Sequence, residues 1–365
     1  MLLVLLECQI TSAQEIMQQV PHSSFTPRSH NFDLKYLFDC FLWIACKANF
    51  LGKDAILKQS PYDIVIISAL RTPFTRAVKG SLAKTYPEEL LTQILKTTLS
   101  RTHLPPSSVR EVAVGAVLQQ LGGQKVSAMA VKDAGFGPET TTHTINRQCA
   151  SSSQALSTVA NMIKLGAYEV GIAAGVESMS MDYFPHRGIP PRVAPTLRGS
   201  AVQEAKHVIV PMGITSENVA EKYGITRQMQ DEFAVESQRK AAEAQKRGFF
   251  KNEIVPVQAR TSAEGEEDAW TTVDADDGVR AGVTLDKLAK LPPAFKEGGT
   301  TTAGSSSQVT DGASAMLVMT RRKADELGLK PIGKFVQSVV VGVPAALMGT
   351  NHPLALRNSF CMRRD

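Results

Sequence analysis

Cys149 is the residue whose surroundings most invite covalent chemistry. Before it, Thr140 to Ile145 is rich in β-branched residues, the composition of a strand. After it, Ala155, Leu156, Val159 and Ile163 recur at helical spacing and stop at Gly166. Asn146-Arg147-Gln148-Cys149 joins the two, so the thiol falls at a helix N-terminus. Unpaired amides and the helix dipole favour an anion there, and a thiol so placed ionises more readily. Ala150, Ser151, Ser152 and Ser153 are small enough to let a carbonyl approach the sulfur, with backbone N–H groups at hand for an oxyanion. The same pattern fits a small, buried, inert cysteine, and these residues alone leave both readings open.

The other cysteines are Cys8, Cys40, Cys46 and Cys361. With Cys149 the five are odd in number and scattered, with no CxxC pair and no His at ligand spacing, which argues for a reducing compartment and against disulfides or a zinc site. The net charge of +5 suits an anionic ligand such as a nucleotide phosphate. It is too small to argue for nucleic acid, and no Lys/Arg stripe with interleaved aromatics occurs. No stretch reaches the length of a membrane span. Met1 to Leu6 is apolar but has no basic residues before it, unlike a secretory signal. Arg363-Arg364-Asp365 is not a peroxisomal SKL-type ending. With 43% apolar and 21% charged residues, 365 residues suffice for a sizeable core, as two domains or one large α/β unit.

The elements that must position Cys149 alternate. Ile64 to Ser68 is a continuous apolar run, the pattern of a strand buried on both faces. A helix from Pro87 follows, then a strand at Val112 to Val117, a short helix from Val126 to Ala134, the Cys149 strand and helix, and a strand at Val170 to Val176. This rhythm predicts a largely parallel α/β sheet. Residues 177 to about 298 break it and read as an excursion over the sheet. One long helix from about Arg227 to Arg247 lies within it, with Met229, Phe233 and Ala241 as its apolar face and Gly248 as its stop. A strand at Ala315 to Thr320, a helix from Arg321 to Leu327 and a last strand from Phe335 to Val343 complete the pattern. Residues 1–60 read as an atypical extension expected to be poorly ordered, with an apolar stretch at 38–46.

Several motifs carry a resemblance. Asn146-Arg147-Gln148-Cys149-Ala150-Ser151-Ser152 resembles the nucleophile motif of the thiolase family. Arg71-Thr72-Pro73-Phe74, Gly175-Val176-Glu177-Ser178-Met179-Ser180, Pro211 to Asn218, Pro293-Ala294-Phe295-Lys296 and Thr301 to Gly312 are similar to further family segments, in family order. In detail they resemble the peroxisomal 3-ketoacyl-CoA branch. The resemblance implies a thiolase-like fold: an N-terminal domain over 63–327 with a loop domain at about 177–298, the start of a second domain at 328–344, and an unrelated tail at 345–365. It implies fatty-acid β-oxidation chemistry with Cys149 as the acyl-carrying nucleophile and coenzyme A as substrate, and no further cofactor. Met212, Phe295, Ala303 and Ser307 match positions that contact the pantetheine arm, although the residues alone favour core packing for Met212 and Phe295 and a cap for Ser307. A homodimer and a peroxisomal location are implied too. No targeting motif is read in 1–60, which leaves mitochondrion and cytoplasm open.

The chain also departs from the family pattern. Ser152 takes the place of a usual Gly, Ser153 that of an apolar residue and Ser305 that of an Asn. A Gly-to-Ser change matters where the backbone needs positive φ or close approach. The family's Asn-Glu-Ala-Phe, Gly-His-Pro and Cys-x-Gly segments are not found in these residues; His352-Pro353 and Cys361 lack the matching surroundings. The expectation is a C-terminally truncated thiolase of impaired activity. The alternatives are a non-catalytic remnant that binds acyl-CoA or a full-length subunit, and a ketosynthase-type condensing enzyme, against which the loop-domain and tunnel segments argue.

Overall fold

The computed structural model describes residues 57–185, 193–262 and 265–350. The apolar stretch 38–46, His352 and Cys361 lie outside them, as does nearly all of the N-terminal extension. The strands are β1 (Ile64–Arg71), β2 (Thr75–Arg76), β3 (Glu111–Gly115), β4 (Thr141–Ile145), β5 (Val170–Ser178), β6 (Val257–Arg260), β7 (Trp270–Val273), β8 (Thr310–Thr320) and β9 (Gly333–Phe335). The main sheet runs β4-β3-β5-β8-β1-β9, with β2 attached to β8, while β6 and β7 pair separately.

Only part of this sheet is parallel. β3 pairs in parallel with β4 and β5, whereas β8 runs antiparallel to both β5 and β1, and β9 antiparallel to β1. The expectation of a largely parallel sheet is corrected here. A short helical crossover forces the next strand to run parallel, and the β3-to-β5 stretch obeys that rule. The long excursion between β5 and β8 imposes no such direction. β1 is buried along nearly its whole length between β8 and β9, as its apolar run predicts.

Helices cover both faces. α1 (Pro87–Thr102) and α2 (Gln124–Asp133) supply Leu90, Leu91, Ile94, Leu95, Ala130 and Val131 to one cluster. α3 (Ser151–Lys164) supplies Ala155, Leu156, Val159, Ala160 and Ile163 to the other, against Ile64, Ala113, Ala173 and Val318. Each buried Leu, Val or Ile contributes about 1.5–3 kcal/mol, so α3 is held firmly by its apolar face. The β3-to-β4 crossover through α2 and the β4-to-β5 crossover through α3 pack on opposite faces of the sheet.

The N-terminus of α3 packs closely on the ends of β3 and β5 because glycines make room for it. Gly115 and Gly175 are register partners on β3 and β5. A Cβ at Gly115 would fall on the backbone of Ser151 and Ser152, 2.8 Å from the Ser152 Cα. A Cβ at Gly175 would lie 2.8 Å from the Ser152 Cβ. Gly115→Ala is therefore expected to push α3 off the sheet and to destabilise the fold by about 1–3 kcal/mol. Urea denaturation should show a lower midpoint at unchanged slope; an unchanged midpoint would refute this packing.

The excursion carries α4 (Met212–Tyr223) and α5 (Arg227–Lys246). Thr226 caps α5, its Oγ accepting from the Met229 amide, and Gly248 (φ 69°) ends it as expected. Its inner face differs from the sequence reading. Asp231 and Ala234 are buried, while Met229 and Phe233 are exposed, Phe233 at 77%. Arg227 offsets the burial of Asp231 through an ion pair one turn away at 2.8 Å. The last strand is also displaced from its expected place at Phe335 to Val343: β9 spans Gly333–Phe335 and ends where that strand was expected to begin. Phe335 pairs with Ile64, the first residue of β1, so beyond it the strand has run off its partner. α6 (Arg321–Glu326) follows β8, and Gly328 (φ 66°) lies beyond its end.

Candidate active site

Cys149 sits in a tight turn between β4 and α3, and its side chain is exposed. The thiol is therefore not a buried one. The turn is built by its neighbours. Gln148 adopts φ 50°, a left-handed conformation uncommon outside glycine. Asn146 supports it as an Asx-turn: its Oδ1 accepts from the Gln148 amide at 3.0 Å. The Ser151 Oγ accepts from the Arg147 amide at 2.9 Å and donates to the Gln148 carbonyl at 2.5 Å. The amides of Ala150 and Ser151 turn back to the carbonyls of Arg147 and Gln148. A left-handed residue pinned on both sides, directly before the thiol, fixes where the sulfur points. Such conformations persist where surrounding structure over-determines them.

Helix α3 starts two residues beyond the sulfur, so its first-turn amides and dipole face this region. An oxyanion forming on a carbonyl attacked by Cys149 would find donors there. Ser152 lies in the first turn of α3 and is absent from the positive-φ residues, so its substitution for Gly demands no forbidden backbone. Its side chain instead occupies the space beside Gly175.

A second set of residues gathers around α4. Glu217, on α4, is buried, and its carboxylate accepts from the amides of Thr300 and Thr301 at 2.7–3.0 Å and from the Thr300 hydroxyl at 3.1 Å. Burial pushes this carboxyl up, but the Thr300 and Thr301 donors outweigh it and hold it below the usual carboxylate range. Ser216 and Thr301 share a hydroxyl hydrogen bond at 3.0 Å. Ala294 donates to the Thr301 carbonyl, and the Phe295 ring covers Gly213, where a Cβ would lie 2.7 Å from its Cδ2. Three segments distant in sequence thus form one unit, with Met212 and Phe295 on its surface, 50% and 44% exposed. Core packing is not their role. Ala303 and Ser307 are exposed as well, and Ser307 donates weakly to the Gln308 carbonyl instead of capping a helix. Among the described residues no hydrogen bond or ion pair ties this unit to the Cys149 turn.

The sequence motifs include Asn146 and Glu177 but gave neither a role of its own. Asn two residues before the strained position is a readable Asx-turn signal. Glu177, a lone acid near the end of an apolar strand, accepts from the Val117 and Leu118 amides. Nothing local marked Gln148 as left-handed. Among the described residues no cluster of His, Cys, Asp or Glu is arranged to hold a metal ion, and no helix is long and apolar enough to cross a membrane.

The site can be set beside known proteins. Residues 64–322 match the family described as the thiolase N-terminal domain. Mouse peroxisomal 3-ketoacyl-CoA thiolase A is 43% identical over 299 residues, spanning 82% of this chain and 69% of the mouse protein. Peroxisomal 3-ketoacyl-CoA thiolase 2 of Arabidopsis thaliana is 43% identical over 334 residues, 90% of this chain and 69% of its own length. The crystal structure of the dimeric peroxisomal thiolase of Saccharomyces cerevisiae superimposes with a TM-score of 0.74 at 35% identity, covering 81% of this chain and 74% of the yeast chain. A family match over more than half of its residues and relatives at this identity show that the chain belongs to the thiolase family.

Proposed function

We propose that this protein is an acyltransferase of the 3-ketoacyl-CoA thiolase type, with Cys149 as its nucleophile. The observation that carries the reading is the exposed thiol on a turn pinned at Gln148, directly before the N-terminus of α3. The Cys149 sulfur attacks the 3-keto carbon of an acyl-CoA. The bond between C2 and C3 breaks, acetyl-CoA leaves after taking up a proton, and the shortened acyl group stays on sulfur as a thioester. The thiol of a second coenzyme A then attacks that thioester and frees Cys149. Coenzyme A is a substrate here, and no other cofactor is needed.

Met212, Phe295, Ala303 and Ser307 are the residues proposed to meet the pantetheine arm. Their exposure around the α4 unit supports this, since a thin amphipathic chain needs accessible apolar and small polar contacts. The family match over 64–322 supports an N-terminal domain over 63–327 with its loop domain at about 177–298, and a second domain beginning at 328. The names of the relatives support a peroxisomal setting for β-oxidation, and the dimeric yeast structure supports a homodimer.

Peptide-resolved mass spectrometry after incubation with a 3-ketoacyl-CoA tests the reading. The expected result is an acyl adduct on the Cys149 peptide. Folded protein without an adduct would instead favour a subunit that binds acyl-CoA or a partner thiolase without catalysis.

A further inference from the structure

Glu177 is the penultimate residue of the apolar strand β5. Its carboxylate accepts from the Val117 amide at 3.1 Å and from the Leu118 amide at 3.3 Å, in the loop that leaves β3. The Val117 carbonyl accepts from the Asn146 Nδ2 at 3.1 Å. Asn146 Oδ1 in turn accepts from the Gln148 amide at 3.0 Å. An unbroken run of hydrogen bonds therefore leads from the end of β5, across the β3 loop, to the left-handed residue before Cys149. We propose that Glu177 is a positioning residue for Cys149, holding through Val117 and Asn146 the turn that presents the sulfur. This rests on the reading of Cys149 as the acyl acceptor and adds to it a control by protonation.

The surroundings of Glu177 set when that control operates. Burial pushes its carboxyl up, the Val117 and Leu118 amides pull it down, and the negative charge of Asp182 pushes it up further, leaving it at about 7. Asp311 faces the same end of β5 from β8, but its carboxylate is committed to Ser178 and Ser180, accepting at 3.2 Å from the Ser178 hydroxyl and at 2.6–2.8 Å from Ser180. Above neutrality Glu177 is an ionised acceptor and grips both amides. Below it the carboxyl is neutral and the grip loosens, because a hydrogen bond to a charged group is the stronger kind. The sign for the whole fold is opposite. With its folded value raised, the native state binds more protons than the unfolded chain between the ordinary carboxylate range and pH 7, so Glu177 costs stability as pH rises through that window. A tighter turn accompanied by a less stable fold marks this residue off from a simple structural support.

Hydrogen exchange of the peptides holding Val117, Leu118 and Gln148, corrected for the intrinsic pH dependence of exchange, tests the proposal on the full chain. Protection is expected to be roughly fivefold higher at pH 8 than at pH 6, with α1 peptides unchanged as a folding control. In Glu177→Gln the step should vanish, and in Asp182→Asn it should move to lower pH; the wild-type comparison needs no variant to fold. Flat wild-type protection, or a step that survives in Glu177→Gln, overturns the proposal. The two readings can fail separately. A step at Gln148 without any acyl adduct on Cys149 leaves the positioning intact and removes the acyl chemistry. An adduct without the step does the reverse.

Discussion

Cys149→Ala is expected to abolish acyl-adduct formation from a 3-ketoacyl-CoA, a loss of at least about 10³-fold, while leaving the fold intact. The two halves of this expectation have different causes. The Cys149 side chain is exposed, so truncating it removes little packing and should change stability by no more than about 0.5 kcal/mol. The sulfur is also the one atom at the head of α3 able to hold an acyl group as a thioester. Cys149→Ser keeps the shape and a hydroxyl but supplies a far weaker nucleophile without a base beside it, so it should behave like the Ala variant. The assay must resolve peptides, because Cys8, Cys40, Cys46 and Cys361 are also thiols. An acyl adduct appearing elsewhere in the chain, unchanged in Cys149→Ala, would move the chemistry away from this turn.

The second large effect concerns stability. Arg71→Met should destabilise the fold by about 3–5 kcal/mol. Arg71 ends β1 almost fully buried, and its Nε donates to Glu253 at 2.7 Å while its two terminal nitrogens donate to Asp276 at 2.7 and 2.9 Å. Its charge also lies over the Phe74 ring, 4.8 Å from the centroid. The Phe74 amide donates to the same Asp276 carboxylate at 2.8 Å. Removing the guanidinium leaves two acids partly buried without a counter-charge, and that cost exceeds the worth of any one of these contacts. The double variant Arg71→Met with Asp276→Asn should recover part of the loss, since it removes the orphaned charge. Urea denaturation of the single and double variants measures both values. A single variant within 1 kcal/mol of wild type would mean the cluster is solvated and contributes little.

Arg71 also shows how far a motif can be read. The segment Arg71-Thr72-Pro73-Phe74 was recognisable as a family feature, but its physical role was not, because both acids lie more than 180 residues downstream. The same holds for Glu217. Its place in the α4 segment was plain, yet only the fold brings Thr300 and Thr301 to its carboxylate. In α5 the reading chose Met229 and Phe233 for the inner face by hydrophobicity, while the structure buries Asp231 and Ala234. An ion pair with Arg227 made an acid acceptable inside, and no periodicity argument takes account of that partner.

What the sequence determined by itself is what short-range physics encodes. Most β-branched runs became strands, helical spacing became helices, and Gly166, Gly248 and Gly328 ended helices with positive φ. The placing of Cys149 between a strand and a helix belongs to this class, since both elements are local. The tertiary structure alone decided strand direction, exposure and protonation. β8 could enter the sheet antiparallel because the long excursion before it places no handedness constraint on its return. Glu177 holds its proton to about 7 because of groups that meet only in space, and the exposure of the thiol is likewise a property of the assembled fold. Backbone preference acts over a few residues, whereas burial and charge depend on every neighbour the fold assembles.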